Sequence, residues 1–249
     1  MIRRLLIPVL AAVCFGTGSN VSAATQLVVG TDTSFMPFEF KQGNAYVGFD
    51  LDLWAAIAKD LKIQYTLQPM DFNGLIPALQ TNNIDVALAG MTIKDERKQV
   101  IDFSDPYYDS GLAAMVQTSN HSVASLADLD GKTIGAKTGS ATIDWIKVHL
   151  PKAQIVQFPN IDQAYLALEA GRVDAAMHDT PNVQYFVNNA GAGKVKMAGA
   201  PVMGDKYGIA FPKGSPLVDP VNGELKKLIT NGEYSTIYRK WFGTLPPQH

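Results

Sequence analysis

The chain has one cysteine, Cys14, so no intramolecular disulfide can staple the fold. It has no excess of positive charge: 21 Lys and Arg stand against 23 Asp and Glu, and the pI is near 6.1. That balance offers no basic stripe to nucleic acid. The four histidines, His121, His149, His178 and His249, are scattered with no cysteine beside them, so neither a metal centre nor a cofactor is indicated. No Gly-x-Ser-x-Gly elbow occurs, which removes one route to hydrolysis. Gly191-Ala192-Gly193-Lys194 resembles a phosphate loop only superficially. Its first glycine is missing, and Val195 stands where Ser or Thr is required.

Long apolar runs are also missing, apart from one at the N-terminus. Arg3 and Arg4 precede an apolar stretch from Leu5 to Phe15, and small residues close it at Val21-Ser22-Ala23. This is the order of a secretory signal peptide over residues 1–23. The apolar core is shorter than the roughly 20 residues a membrane span needs. Cleavage after Ala23 would remove Cys14, and Val13 before it fits a lipoprotein signal poorly. The expectation is an exported, soluble, disulfide-free monomer of the periplasm.

Strand-like and helix-like patterns alternate along the rest of the chain, which predicts an α/β fold with largely parallel sheets. The clearest helix is Asp50 to Leu61, where Leu53, Trp54, Ile57, Ala58 and Leu61 share one face and Asp50 suits an N-cap. Four apolar runs stop at a residue able to grip a polar small molecule. Leu27 to Thr31 ends at Asp32, and Ile84 to Leu88 ends at Ala89-Gly90, with Thr92 and Arg97 just beyond. Thr133 to Ala136 ends at Lys137, and Val173 to Met177 ends at His178-Asp179. Ligands of open α/β sheets sit at the carboxyl ends of strands, so one site for a small zwitterion is expected.

An internal repeat points to two similar lobes. Leu75 to Gly90 lies over Ala164 to Asp179 without a gap, and each copy reads as a helix, a turn and a strand with Asp at its second position. Two further extended runs, Tyr108 to Val116 and Tyr207 to Phe211, would cross between the lobes. The predicted division is a discontinuous large lobe, 24–107 with 208–249, a small lobe, 112–203, and hinge segments 108–111 and 204–207. Crossings of this kind close a cleft through a few φ/ψ changes.

Several candidates have two readings. Arg97 offers a rigid fork for a carboxylate, or it is a solvated residue at a helix start beside Asp95 and Glu96. Asp179 suits a ligand ammonium and equally suits the N-cap of a helix that Pro181 begins. His178 is a cleft residue or a satisfied structural histidine. Phe35, and Phe72 at a loop, could flank an aliphatic stem or simply belong to the core. The N–H groups between Lys137 and Thr142 favour an anion or a carbonyl oxygen.

Six segments carry a resemblance that covers essentially all of the chain beyond residue 23. They are Thr31 to Phe35, Gly48 to Trp54, Met70 to Gln80, Ala89 to Arg97, His178-Asp179-Thr180-Pro181-Asn182 and Lys240 to Thr244. These closely resemble the periplasmic glutamine-binding proteins of bacterial ABC importers, within the polar amino-acid family of type II periplasmic solute-binding proteins. The resemblance implies two Rossmann-like lobes joined by two hinge strands, no enzymatic activity, free L-glutamine as ligand and an inner-membrane ABC permease as partner. It also implies that Arg97 grips the α-carboxylate, helped by backbone at Thr92 and at Ala141. Asp179 and the Gly90 carbonyl, beside Ala89 in the same site, would take the α-ammonium. Asp32 and Lys137 would read the side-chain amide, with Phe35 and Phe72 along the stem and His178 holding the closed form.

One departure bears on this. The family usually has Gly-Thr-Gly after the lysine, and this chain has Gly139-Ser140-Ala141, so an alanine would be strained if its position required positive φ. The alternatives are a receptor for another polar amino acid and an exported dehydratase on the same fold.

Overall fold

A computed structural model describes residues 26–247. The expected signal peptide, with Cys14, lies outside the described residues. In chain order the elements are β1 (Leu27–Thr31), β2 (Ser34–Phe35), β3 (Glu39–Gln42), β4 (Ala45–Val47), α1 (Phe49–Asp60), β5 (Tyr65–Pro69), α2 (Phe72–Gln80), β6 (Val86–Leu88), α3 (Asp95–Lys98) and β7 (Ile101–Phe103). There follow β8 (Tyr108–Gln117), β9 (Thr133–Lys137), α4 (Ala141–His149), β10 (Gln154–Phe158), α5 (Ile161–Glu169), β11 (Ala175–Asp179), α6 (Thr180–Asn188), β12 (Val195–Met197), β13 (Val202–Tyr207), β14 (Ala210–Pro212), α7 (Val218–Thr230) and α8 (Glu233–Phe242). No described helix is long and apolar enough to cross a membrane.

The strands form two principal sheets, one per lobe. The first runs β5-β1-β6-β14-β7 and the second β10-β9-β11-β8-β12, with β13 also paired to β8. In each, the earliest strand of its three parallel strands lies in the middle, and an antiparallel strand follows. Apolar residues pack on both faces of each sheet. Trp54, Ile57, Leu225 and Leu228 cover one face of the first, and Leu75, Leu79 and Ile84 cover the other. Ile143 and Ile146 cover one face of the second, opposite Tyr165 and Leu168. Burial on both faces suits strands that read as continuous apolar runs rather than alternating ones.

The repeat has a physical counterpart at the start of the third strand in each sheet. Asp85, immediately before β6, accepts the Val28 N–H at 2.7 Å while its own N–H donates to the Val28 carbonyl at 2.8 Å. Asp174, immediately before β11, makes the same two bonds with Thr133, both at 2.8 Å. Each aspartate thus clamps two parallel strands in register.

Three expectations need correction. Asp50 is not the N-cap of α1, because Gly48 holds that place. Asp50 is instead fully buried, and its carboxylate turns back to accept other donors. Phe72 opens α2 rather than standing on a loop. The run Tyr207 to Phe211 is not one strand: β13 ends at Tyr207 and β14 begins at Ala210, so the chain leaves the second sheet and enters the first between them.

β8 and β13 are paired from Tyr108↔Tyr207 to Leu112↔Val202, with a bulge between Met203 and Asp205. The two passages between lobes therefore run side by side as an antiparallel ladder.

The clamp geometry gives a direct stability test. Asp85→Ala removes the carboxylate that accepts the partly buried Val28 N–H and should lower unfolding stability by about 1–2 kcal/mol in urea titration. An unchanged midpoint would mean that β1 and β6 hold their register without the carboxylate.

Candidate functional site

The carboxyl ends of β1, β6, β9 and β11 face one another across the gap between the lobes. One cavity there is lined by Asp32, Phe35, Phe72, Ala89, Gly90, Thr92, Arg97, Lys137, Ser140, Ala141, His178 and Asp179. The structure thus brings all eleven candidate residues together. Ser140 was not among them, although it lies between two residues of the expected backbone contact. Its hydroxyl donates to the Lys137 carbonyl at 2.8 Å and fixes the turn into α4.

At one end of the cavity, Asp32 and Lys137 meet as an ion pair across the lobes, 0% and 1% exposed respectively. The other Asp32 oxygen accepts the Thr33 N–H at 2.7 Å. Burial pulls the Lys137 ammonium down to about 7, against the opposing pull of Asp162 and Asp179. Its Nζ lies 5.5 Å from the centre of the Phe72 ring.

At the other end, Arg97 is 7% exposed, so the solvated reading does not hold. Its charged neighbours pair elsewhere: Glu96 with Lys94 at 2.8 Å and Asp95 with Lys98 at 3.6 Å. Arg97 donates from Nη1 to the Thr92 carbonyl at 2.9 Å and from Nη2 to the Gly139 carbonyl at 3.1 Å, which joins the lobes. Two of its five N–H groups are thereby used, and the fork keeps capacity for an anion. Burial lowers its pKa, with Asp179 opposing the shift.

Asp179 occupies the N-cap position of α6 without capping it through its side chain. Its carboxylate instead accepts the Tyr207 hydroxyl at 2.5 Å, and Tyr207 in turn takes the Ser110 hydroxyl at 2.9 Å. Burial raises Asp179 to about 7, with Tyr207 the strongest opposing influence. His178 Nδ1 lies 3.3 Å from an Asp179 oxygen, yet neither ring nitrogen has a hydrogen-bond partner among the described residues. Burial, then the charge on Lys137, holds this ring well below the ordinary histidine range, so it is neutral and the contact is not an ion pair. Tyr207 was missed as a site residue because the sequence places it in a hinge segment, where an aromatic has no distinguishing pattern.

The glycine-rich departure resolves without strain. Positive φ falls on Gly139, at 77°, while Ser140 is extended and Ala141 begins α4. Ala141 therefore contributes one of the N–H groups that a helix start leaves without an internal partner.

Between the lobes is a cavity of about 10 Å³ for the centre of a water molecule, room for roughly one water. Further contacts cross between the lobes around it, from Ser34 to Asp162, Asn182 to the Met36 carbonyl at 2.6 Å and Lys94 to Asp144 at 2.7 Å. Among the described residues no cluster of His, Cys, Asp and Glu is suited to a metal ion. The arrangement offers separate acceptors and donors for a cation, an anion and a neutral polar group along one crevice.

Comparison with known proteins agrees with this geometry. The sequence profile of the bacterial extracellular solute-binding proteins, family 3, matches residues 27–244. The arginine-binding extracellular protein ArtP of Bacillus subtilis (strain 168) is 34% identical, covering 97% of this chain and 98% of its own. The ABC transporter glutamine-binding protein GlnH of the same organism is 31% identical, over 96% and 94%. An ancestral arginine-binding protein, with structures bound to arginine and bound to glutamine, superposes with a TM-score of 0.84 at 43% identity, over 88% of this chain and 98% of that one.

Gly90 gives the site its sharpest structural test. Its φ is +51°, and a Cβ there would lie 2.3 Å from the Phe35 ring. Gly90→Ala should therefore lower stability by about 1–3 kcal/mol through backbone strain and overpacking. Thermal unfolding identical to that of the parent chain would show that the turn can relax.

Proposed function

The chain belongs to the bacterial extracellular solute-binding proteins, family 3, and from that premise we propose that it is a periplasmic receptor whose preferred ligand is free L-glutamine. It is an amino-acid-binding receptor of an ABC importer, with the two-lobed type II periplasmic binding protein fold. In this reading residues 24–107 with 208–249 form one lobe and 112–203 the other. The paired segments 108–111 and 204–207 flex, and the closed form is what the permease receives.

Each end of the cavity has a task. Arg97, with the N–H of Ala141 and backbone at Thr92, takes the α-carboxylate. Asp179 and the Gly90 carbonyl take the α-ammonium, and Phe35 and Phe72 line the aliphatic stem. The side chain enters between Asp32 and Lys137 and replaces their direct contact. The observation that carries the glutamine reading is this buried pair. A carboxamide has a donor and an acceptor, and Asp32 and Lys137 supply the complement of both. A glutamate side chain would face Asp32, and an arginine side chain would face the Lys137 ammonium, so both bury like charges.

Arginine is the second reading, favoured by the names of the relatives and by the ancestral protein that takes both ligands. The relatives' identities also support a receptor over the dehydratase alternative.

A thermal-shift panel of the twenty amino acids at pH 6.5 should give the largest shift with glutamine. Lys137 loses its charge as pH rises through about 7. Its repulsion of a second cation is therefore present below that pH and fades above it. Arginine should accordingly gain on glutamine between about pH 7 and 9, and this gain should vanish in Lys137→Met. An arginine shift that exceeds the glutamine shift at pH 6.5 would overturn the preference and leave the amino-acid receptor intact.

Arg97→Ala removes the buried guanidinium from beneath the α-carboxylate. Isothermal titration should show affinity weakened by ~2–5 kcal/mol, roughly 30- to 4,000-fold. A change below about threefold would remove Arg97 from the ligand site.

A further inference from the structure

Behind the cavity two acids are buried side by side. Glu39 begins β3 and Asp50 is the second residue of α1, and both are 0% exposed. The Asp50 N–H donates to the Phe38 carbonyl at 3.0 Å, which sets the two acids beside each other, and each acts on the other's ionisation. Yet Glu39 Oε1, Glu39 Oε2 and Asp50 Oδ1 have no donor partner among the described residues. The remaining oxygen, Asp50 Oδ2, is well served. It accepts the Gly90 N–H at 2.9 Å and the Tyr107 hydroxyl at 2.7 Å.

The other titratable groups that act on the pair offer no compensating cation. Glu39 senses Asp50 and Asp179, both of which oppose its ionisation. Tyr107 feels both acids and also Tyr234, whose hydroxyl donates to the Tyr107 carbonyl at 2.6 Å. Two ionised carboxylates buried side by side, with no cation beside them among the described residues, are not a stable arrangement. One proton removes the conflict: it converts an orphaned acceptor on Glu39 into a donor and satisfies Asp50 Oδ1.

We propose that Glu39 carries a proton shared with Asp50, and that this acid pair is the positioning element for the Gly90 turn at the ammonium end of the cavity. With Oδ1 held by Glu39, the Asp50 carboxylate cannot rotate, and Oδ2 stays aimed at the Gly90 N–H and the Tyr107 hydroxyl. Gly90 then keeps its positive φ against Phe35, where it lines the cavity. Tyr107 also donates its N–H to the Tyr207 carbonyl at 3.0 Å, so the same pair anchors the point where both passages leave the first lobe. Burial pushes Glu39 well above the ordinary carboxylate range and Asp50 to about 6, in keeping with one proton between them. The role at Gly90 rests on the amino-acid receptor reading, and the shared proton does not.

Three measurements on the full chain test it. In infrared spectra at pH 8, where Asp179 is ionised, the parent should show a protonated carboxylic carbonyl band that Glu39→Gln lacks. The same spectrum from both would overturn the proton. In unfolding without ligand, the folded parent keeps a proton that the unfolded chain releases above about pH 4.3. The parent's folding equilibrium should therefore lose up to about tenfold per pH unit relative to Glu39→Gln as pH rises from 5 to 8. A constant difference across that range would overturn it as well. In titration with L-glutamine, Glu39→Gln, which can still donate to Asp50, should bind within about threefold of the parent, while Glu39→Ala should bind at least about tenfold more weakly. Equal losses in both would overturn the positioning role. Glutamine that fails to bind the parent would count against the ligand proposed above, and the two ligand-free arms would still decide the proton.

Discussion

Asp32 and Lys137 reach each other from different sheets with almost no solvent around either. Two buried charges recover their lost hydration only when their geometry is close and stable. Side chains on flexible loops could not hold such a geometry. Here both residues sit at strand ends, anchored by parallel ladders and by the Asp85 and Asp174 clamps behind them. The same requirement governs Arg97 and Asp179 at the opposite end of the crevice. The rigid parts of each lobe exist, in this sense, to keep charge buried without letting it wander. A ligand that supplies better partners than the residues give one another has a place already prepared.

The strands that pass between the lobes are hydrogen-bonded to the crevice. Ser110 and Tyr207 lie on the paired passages β8 and β13, and their hydroxyls lead directly to the Asp179 carboxylate. Tyr107, at the start of the same crossing, touches Asp50 and through it the Gly90 turn. Asp179, which lines the crevice, and Asp50, behind it, are thus hydrogen-bonded to residues at the strands that pass between the lobes. In the receptor reading proposed above, binding and closure would be joined by short polar contacts rather than by a long relay through the core. This kind of coupling needs only that ligand and hinge prefer the same arrangement of one carboxylate.

Much of this was legible in residue order. Asp32, Lys137 and Asp179 stand out because an apolar strand ends at each, and a charged residue in such a place requires a partner. The two-lobed plan was legible from the gapless repeat, whose aspartates proved to clamp corresponding strands. Other features were hidden for physical reasons. Arg97 sits among Lys94, Asp95, Glu96 and Lys98, and nothing in that run says which one turns inward. Nothing in the residue order sets Glu39 apart as a buried acid or joins it to Asp50. Only the folding of β3 against α1 makes them neighbours. Asp50 resembles an N-cap because N-caps and buried acceptors use the same side chain. Phe72 resembles a loop residue because Asn73 and Gly74, both turn formers, follow it directly, although Asp71 holds the N-cap position of α2.

The route of the chain through the first sheet has a further consequence. β14 lies between β6 and β7, yet it follows them only after the whole second lobe has been made. Until Ala210–Pro212 arrives, two short strands lack the neighbour that completes their hydrogen bonding. The first lobe thus cannot mature from its own early residues, whereas the second is built from one uninterrupted stretch. Assembly is expected to proceed from the inner lobe outward, with the sheet closed by a late strand. Long-range closure of this sort slows folding, and it leaves a nascent chain without a finished, premature version of half the molecule.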